Sequence, residues 1–166
     1  MKSIVSEKIA RIIKSKKKLE EKLNVKITNR GKELFITGQP EDEYIAEKVI
    51  DALNLGFSFQ VAILIKDEYF ILEELNIKDY TKRHDYERIR ARIIGKGGKT
   101  LKALSQLTKC YFEIQDNHIG IIGDSEYIKN AQDAIISIIR GAKQSNVYAY
   151  LEKHKVEPIL DLGLKE

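Results

Sequence analysis

The chain has 166 residues, with 29 Lys or Arg against 25 Asp or Glu and a net charge of +4. Its single cysteine, Cys110, excludes an intramolecular disulfide and a cysteine-built zinc site. No apolar run reaches membrane length, so the composition points to a cytosolic protein with room for one domain or two small ones.

An internal repeat decides for two: Ala10-Arg11-Ile12-Ile13 recurs as Ala91-Arg92-Ile93-Ile94, each followed by a Lys-rich turn, a helix, a strand pair and a long helix ending in glycine. In the first copy no glycine interrupts Lys14-Ser15-Lys16-Lys17, and the spacing predicts a continuous helix from Glu7 to Leu23. Its surface is basic, with Lys14, Lys16, Lys17, Lys18 and Lys22. Strands follow at Asn24 to Thr28 and Glu33 to Thr37, joined by Asn29-Arg30-Gly31-Lys32, then a helix from Glu41 to Leu55 closed by Gly56. The acidic pairs Asp67-Glu68 and Glu73-Glu74 are expected as solvated charge in the connector between the copies.

The second copy opens with a helix from Tyr86 to Ile94, whose Ile89, Ile93 and Ile94 form one apolar face among Arg88, Arg90 and Arg92. Gly95-Lys96-Gly97-Gly98 interrupts it, and a second helix restarts from Thr100 to Leu107 with Leu101, Leu104 and Leu107. Strands Tyr111 to Gln115 and His118 to Ile122 meet at an Asp116-Asn117 turn. Ser125 is expected to cap a helix running to Arg140, with Gly141 closing it, and a further helix spans Val147 to Lys155. The tail from Val156, with Pro158, Leu160, Leu162 and Leu164, is a docking strand or disordered.

The chemistry concentrates at the interrupted helix. Gly95 suits a left-handed C-cap, and Gly98 lets the next helix begin with N–H groups pointing outward, an arrangement that attracts anions. Lys96 and Lys99 add charge, and without side chains at the three glycines a sugar-phosphate backbone can touch the peptide. Residues 1–80 hold 14 basic against 14 acidic residues and residues 81–166 hold 15 against 11, so the whole excess lies in the second half. Lys82, Arg83, Arg88, Arg90, Arg92, Lys96, Lys99 and Lys102 face only Asp85 and Glu87, a stripe that indicates nucleic acid. Gly98-Lys99-Thr100 lacks the earlier glycine of a nucleotide-hydrolysing loop, because Ile93 occupies that place. His84, His118 and His154 fall in separate segments, and Asp116 and Asp124 are explained by turn and capping duties. No catalytic set, cofactor or metal is therefore assigned.

Strand, helix, glycine loop, helix, two strands and helix is the order of a KH domain, and the loop is identified as its G-x-x-G loop. The expected fold is α+β: two tandem type I KH domains (βααββα), each a three-stranded antiparallel sheet packed by helices, plus an extra C-terminal helix. The boundaries are 1–66 for a degenerate copy without the loop, 67–155 for the copy with it, and 156–166 for the tail. In the second copy Ile94, Leu101 and Ile114 offer an apolar floor for single-stranded bases. The main chain of Phe112 to Gln115 hydrogen-bonds their edges, while Lys96 and Lys99 give affinity without sequence preference. The first copy can touch phosphates only at low specificity, and packing against its twin or binding a protein are its other expected tasks.

Arg88 to Thr100, Ile121-Ile122-Gly123-Asp124, and Gly141-Ala142 followed by Val147-Tyr148 and Leu151-Glu152 resemble the archaeal Dim-two family, also called partner of Nob-one. Gly56-Phe57-Ser58, Asp67-Glu68-Tyr69 and Ile71-Leu72-Glu73 resemble the end of that family's first domain. Two departures stand out: Ala91 replaces a frequent glycine, and the first copy lacks its loop. The resemblance implies a cytoplasmic, non-enzymatic factor of small-ribosomal-subunit assembly that binds single-stranded RNA near the 3′ end of the small-subunit rRNA. It also implies cooperation with the nuclease that matures that end and contact with a translation initiation factor. A protein-interaction scaffold and a general KH regulator of other RNAs are the competing readings.

Overall fold

Two three-stranded antiparallel sheets, each backed by helices, make an α+β fold in the computed structural model, which describes residues 1–154. The first unit runs β1 (Lys2–Val5), α1 (Ile9–Lys14), α2 (Lys16–Leu23), β2 (Lys26–Arg30), β3 (Glu33–Thr37) and α3 (Pro40–Leu55), with β3 central in its sheet. A short helix α4 (Phe59–Ala62) and a 3-10 turn lead to the second unit. There β4 (Phe70–Asn76), α5 (Tyr86–Ile94), α6 (Lys99–Thr108), β5 (Tyr111–Gln115), β6 (His118–Asp124) and α7 (Ile128–Ile139) repeat the order, with β6 central, and α8 (Gln144–Lys153) is added. None of the described helices is long and apolar enough to cross a membrane.

Four local expectations are corrected. The helix over Glu7 to Leu23 is broken at Ser15, whose φ of −99° and ψ of 7° lie in a region open to any residue. A turn this small needs no glycine, so the absence of glycine did not forbid it, and Ile12 of α1 and Leu19 of α2 both reach full burial. Ser125 does not cap α7; Asp124 builds that entry, its carboxylate accepting from the Glu126 N–H and its carbonyl from the Tyr127 N–H. Glu73 and Glu74 lie inside β4, where the edge position of the strand leaves Glu74 exposed and Glu73 half-buried. The last helix starts at Gln144 and ends at Lys153, and the tail from Val156 lies outside the described residues.

Each unit has its own core, and β6 serves both. Ile119 and Ile121 point into the second core beside Ile89, Ile93 and Leu104, whereas Ile122 packs into the first with Leu55 and Phe57. The period of two along a strand produces this alternation. All three isoleucines are fully buried, each contributing about 1.5–3 kcal/mol. Gly120 lies between them because a Cβ there would stand 2.8 Å from both Leu55 Cδ1 and Phe57 Cε2. The end of α3 thus sits directly on the outer face of the second sheet.

The repeated arginine does the same work in both units. Arg11 donates to the carbonyls of Phe57 at 2.7 Å and Leu53 at 3.4 Å, and Arg92 donates to those of Ile138 at 2.9 Å and Ala142 at 2.5 Å. Each guanidinium adds a donor to carbonyls at the C-terminus of the long helix of its unit, where Gly56 or Gly141 turns the chain at positive φ and its N–H already caps Leu53 or Ile138.

Candidate nucleic-acid interface

The loop between α5 and α6 depends on three glycines at positive φ: Gly95 at 77°, Gly97 at 62° and Gly98 at 79°. Gly95 differs from the expected left-handed cap, since its ψ of 167° belongs to a region restricted to glycine. A Cβ at Gly95 would also strike Thr100, whose backbone N would lie 2.6 Å away and whose side chain is buried beneath the loop. Gly97 and Gly98 have nothing within 4 Å of a built Cβ, so the loop is tight on its inner side and open on its outer side. The first turn of α6 starts at this open side, where the helix dipole favours an anion.

The loop borders a cleft of about 550 Å³. One wall is Gly98, Leu101 and Lys102 at the start of α6, and a second is Tyr111 to Glu113 of β5. The third wall is Gly56, Phe57, Ser58 and Val61 from the first unit. Among the described residues β5 pairs only with β6, which leaves its other edge with free backbone donors and acceptors.

Of the basic residues singled out in the sequence, Lys96, Lys99 and Lys102 lie in the loop and the start of α6, whereas Arg88 lies near the start of α5 beside His84 and Tyr86. Arg88, Lys96, Lys99 and Lys102 are exposed and make no ion pair within 4 Å among the described residues. Arg90 donates to the Asn117 side-chain oxygen at 2.6 Å, tying α5 to the β5–β6 turn, and Arg92 is held by the carbonyls at the end of α7. Ile94 is 37% exposed at the end of α5. Ile114, expected on the floor, is half-buried against the second core, because it shares the inner face of β5 with Phe112. Leu101 and Gly98 do line the cleft.

Two contributors escaped the sequence reading. Tyr111 is 43% exposed on the strand wall, and its position one residue before the buried Phe112 was the available signal. The Gly56–Val61 wall had no local signal, since only the docking of the two units places it there. Burial raises the Glu113 carboxyl above its ordinary value, opposed by the charges of Arg11 and Lys8. Cys110 is buried where α6 meets β5, and burial pushes its thiol up to about 11. His84, His118 and His154 are exposed, and among the described residues no three His, Cys, Asp or Glu side chains are grouped to hold a metal.

Residues 71–156 match the second KH domain of PNO1, a eukaryotic-type KH domain (KH-domain type I). A KH domain-containing protein of Methanocaldococcus jannaschii is 29% identical over 148 residues, covering 84% of this chain and 65% of that protein. The pre-rRNA-processing protein pno1 of Schizosaccharomyces pombe is 33% identical over 140 residues, covering 80% of this chain and 57% of that protein. The chain thus spans less than two-thirds of the length of these curated relatives. Among solved structures, that of the a/eIF2alpha–aDim2p–rRNA complex from Pyrococcus horikoshii superposes with a TM-score of 0.85 at 28% identity, covering 92% of each chain.

Proposed function

Because the chain belongs to the PNO1 family of type I KH-domain proteins, we propose that it is a single-stranded RNA-binding factor of small-ribosomal-subunit assembly. It binds rRNA near the 3′ end of the small-subunit molecule and acts in the cytoplasm without catalysis. The observation that carries this reading is the three-glycine loop at the start of α6, open toward solvent and bordering a cleft walled by the free edge of β5. Phosphates sit on the loop N–H groups with Lys96 and Lys99, joined by Arg88 and Lys102. Bases enter the cleft, where Leu101 and Ile94 give apolar contact, Tyr111 stacks and the β5 main chain reads base edges. Ile114 supports this strand from within, and Arg90 and Arg92 hold the α5 scaffold.

Residues 67–155 are read as the KH domain that grips RNA and residues 1–66 as a KH-like copy without the loop. The shared strand order and the shared arginine clamp support that kinship. A translation initiation factor is a proposed partner, supported by the relative found in a complex with a/eIF2alpha and rRNA. A nuclease maturing the rRNA end is the other proposed partner.

Fluorescence anisotropy with short single-stranded RNAs, including the small-subunit 3′ end, tests this reading. The native chain is expected to prefer that end, with log K falling against log salt at a slope of about −2 to −3.5 for roughly three to five neutralised phosphates. The double substitution Lys96→Asp, Gly97→Asp is expected to abolish binding while circular dichroism stays native. Unchanged binding by that folded variant would overturn the assignment.

A further inference from the structure

Among the described residues the second sheet has two free edges: β5, which borders the cleft, and β4 on the far side of β6. The odd-numbered residues of β4 and its flanks bond inward. The Tyr69 carbonyl accepts from the Ser125 N–H and the Ile77 N–H donates to the Asn117 carbonyl, both at 2.9 Å, in the register that pairs Ile71 with Gly123. In an antiparallel ladder the alternate residues Leu72 and Glu74 therefore turn their N–H and carbonyl groups to the open side. Neither proline, lysine nor a bulge blunts this edge over Phe70–Asn76.

A cavity of about 470 Å³ lies beside it, with Tyr44 and Ile45 of α3 and Ile65 on its apolar side. Every residue from Phe70 to Glu73 also lines it. Successive side chains of a strand point to opposite faces, so a cavity touching all four follows the edge rather than one face. Phe70 and Leu72 lie on the face packed against the first unit, and Glu73 lies on the other. The surroundings are acidic: residues 67–76 hold Asp67, Glu68, Glu73 and Glu74 and no Lys or Arg, in a chain of net charge +4. None of these four makes an ion pair within 4 Å among the described residues. Lys48 and Lys66, which also line the cavity, leave the acids in excess.

We propose that β4 takes up an extended Lys/Arg-rich segment of a partner protein that carries an apolar residue at every second position. Its main chain pairs with Leu72 and Glu74, adding a fourth strand to the sheet. Its apolar side chains enter the groove beside Tyr44, Ile45 and Leu72, and its cations, on the opposite face of the added strand, meet Glu73 and Glu68. The same acids repel a nucleic acid, which separates this edge from the cleft at β5 in charge as well as in position. The inference rests on the sheet edge and its surroundings and does not require the RNA reading.

The probe is the amidated peptide Lys-Val-Lys-Val-Lys-Val-Lys, labelled with fluorescein at its N-terminus, and anisotropy measures its binding to the full chain. Glu-Val-Glu-Val-Glu-Val-Glu and the block peptide Lys-Lys-Lys-Lys-Val-Val-Val are the comparisons. The alternating basic peptide is expected to bind about tenfold or more tightly than either. Glu68→Lys/Glu73→Lys should weaken it about tenfold. Glu74→Pro should weaken it about fivefold beyond Glu74→Gln, because both remove the charge and only proline removes the outward N–H, without touching the ladder to β6. In the native chain, exchange of the Leu72 and Glu74 amides should slow about tenfold when the peptide is bound, a readout that needs no variant. Absence of binding, equal binding of the block peptide, unchanged affinity in the Glu68/Glu73 variant or unaltered exchange at Leu72 and Glu74 would each overturn the proposal. So would equal affinities of folded Glu74→Pro and Glu74→Gln. Self-association of the native chain in sedimentation, lost in Glu74→Pro, would assign the edge to a second copy instead and overturn it as well.

Discussion

Gly95 and Gly97 sit two residues apart in one loop and are glycine for different reasons. At Gly95 a side chain meets both a glycine-only ψ and the buried Thr100, whereas Gly97 needs only a left-handed φ with open space around it. Gly95→Ala is therefore expected to cost more than about 3 kcal/mol, and Gly97→Ala about 1 kcal/mol. Urea unfolding of the two variants checks the difference, and similar midpoints would contradict it. The contrast also makes Gly97 the better position for probing RNA contact, since a substituent there leaves the fold standing.

Among the elements, α5 carries arginines of two kinds. Arg88 is exposed, whereas Arg92 bonds to carbonyls 46 and 50 residues along the chain. Arg92→Ala should lose about 2–4 kcal/mol of stability, because two charge-assisted hydrogen bonds are removed and the Ala142 carbonyl loses its arginine donor. Arg92→Lys discriminates the roles. It keeps the charge but not the two-pronged donor, so stability should fall nearly as far while RNA affinity of the folded protein stays close to native. Restoration of native stability by lysine would refute the clamp. The repeat of Ala-Arg-Ile-Ile in the two units contained this information: Arg11, in a unit without the glycine loop, makes the same kind of bond to Phe57. A role common to both copies cannot depend on the loop that only one of them has.

At the scale of the whole molecule, the junction between units carries an electrostatic load. Asp51 on α3 is pushed up to about 6, first by burial and then by the charges of Glu74 on β4 and Glu47, with Lys48 opposing. Its folded value lies above the unfolded 3.8, so the folded state binds the proton more tightly. The Asp51 contribution to stability therefore grows as pH falls from above 6 to below 4 and is unfavourable at neutral pH. Asp51→Asn should raise Tm at pH 7.5, by roughly 2–4 °C per kcal/mol recovered, with the difference from the native chain shrinking toward pH 4. Thermal unfolding at several pH values measures it, and a difference independent of pH would exclude Asp51 as the titrating group.

Local periodicity and turn chemistry determined most of the elements. The helix Tyr86–Ile94 and the strands Glu33–Thr37 and Tyr111–Gln115 match their expected ends, because apolar spacing and flanking glycines act within a few residues. The glycine loop was legible for the same reason, since its conformation depends on backbone freedom at three neighbouring positions. Ser15 and Ser125 were misread where two local solutions compete at small energetic difference: a turn without glycine at one, an aspartate one residue earlier at the other. Only the tertiary structure decided which arginine is free and which is consumed, that Ile114 faces the core, and that Gly56–Val61 walls the cleft. The arginine bonds and the cleft wall depend on contacts between residues some 46 to 65 positions apart, and packing of α3 on β6 at Gly120 brings the wall into place, so no local pattern carries them.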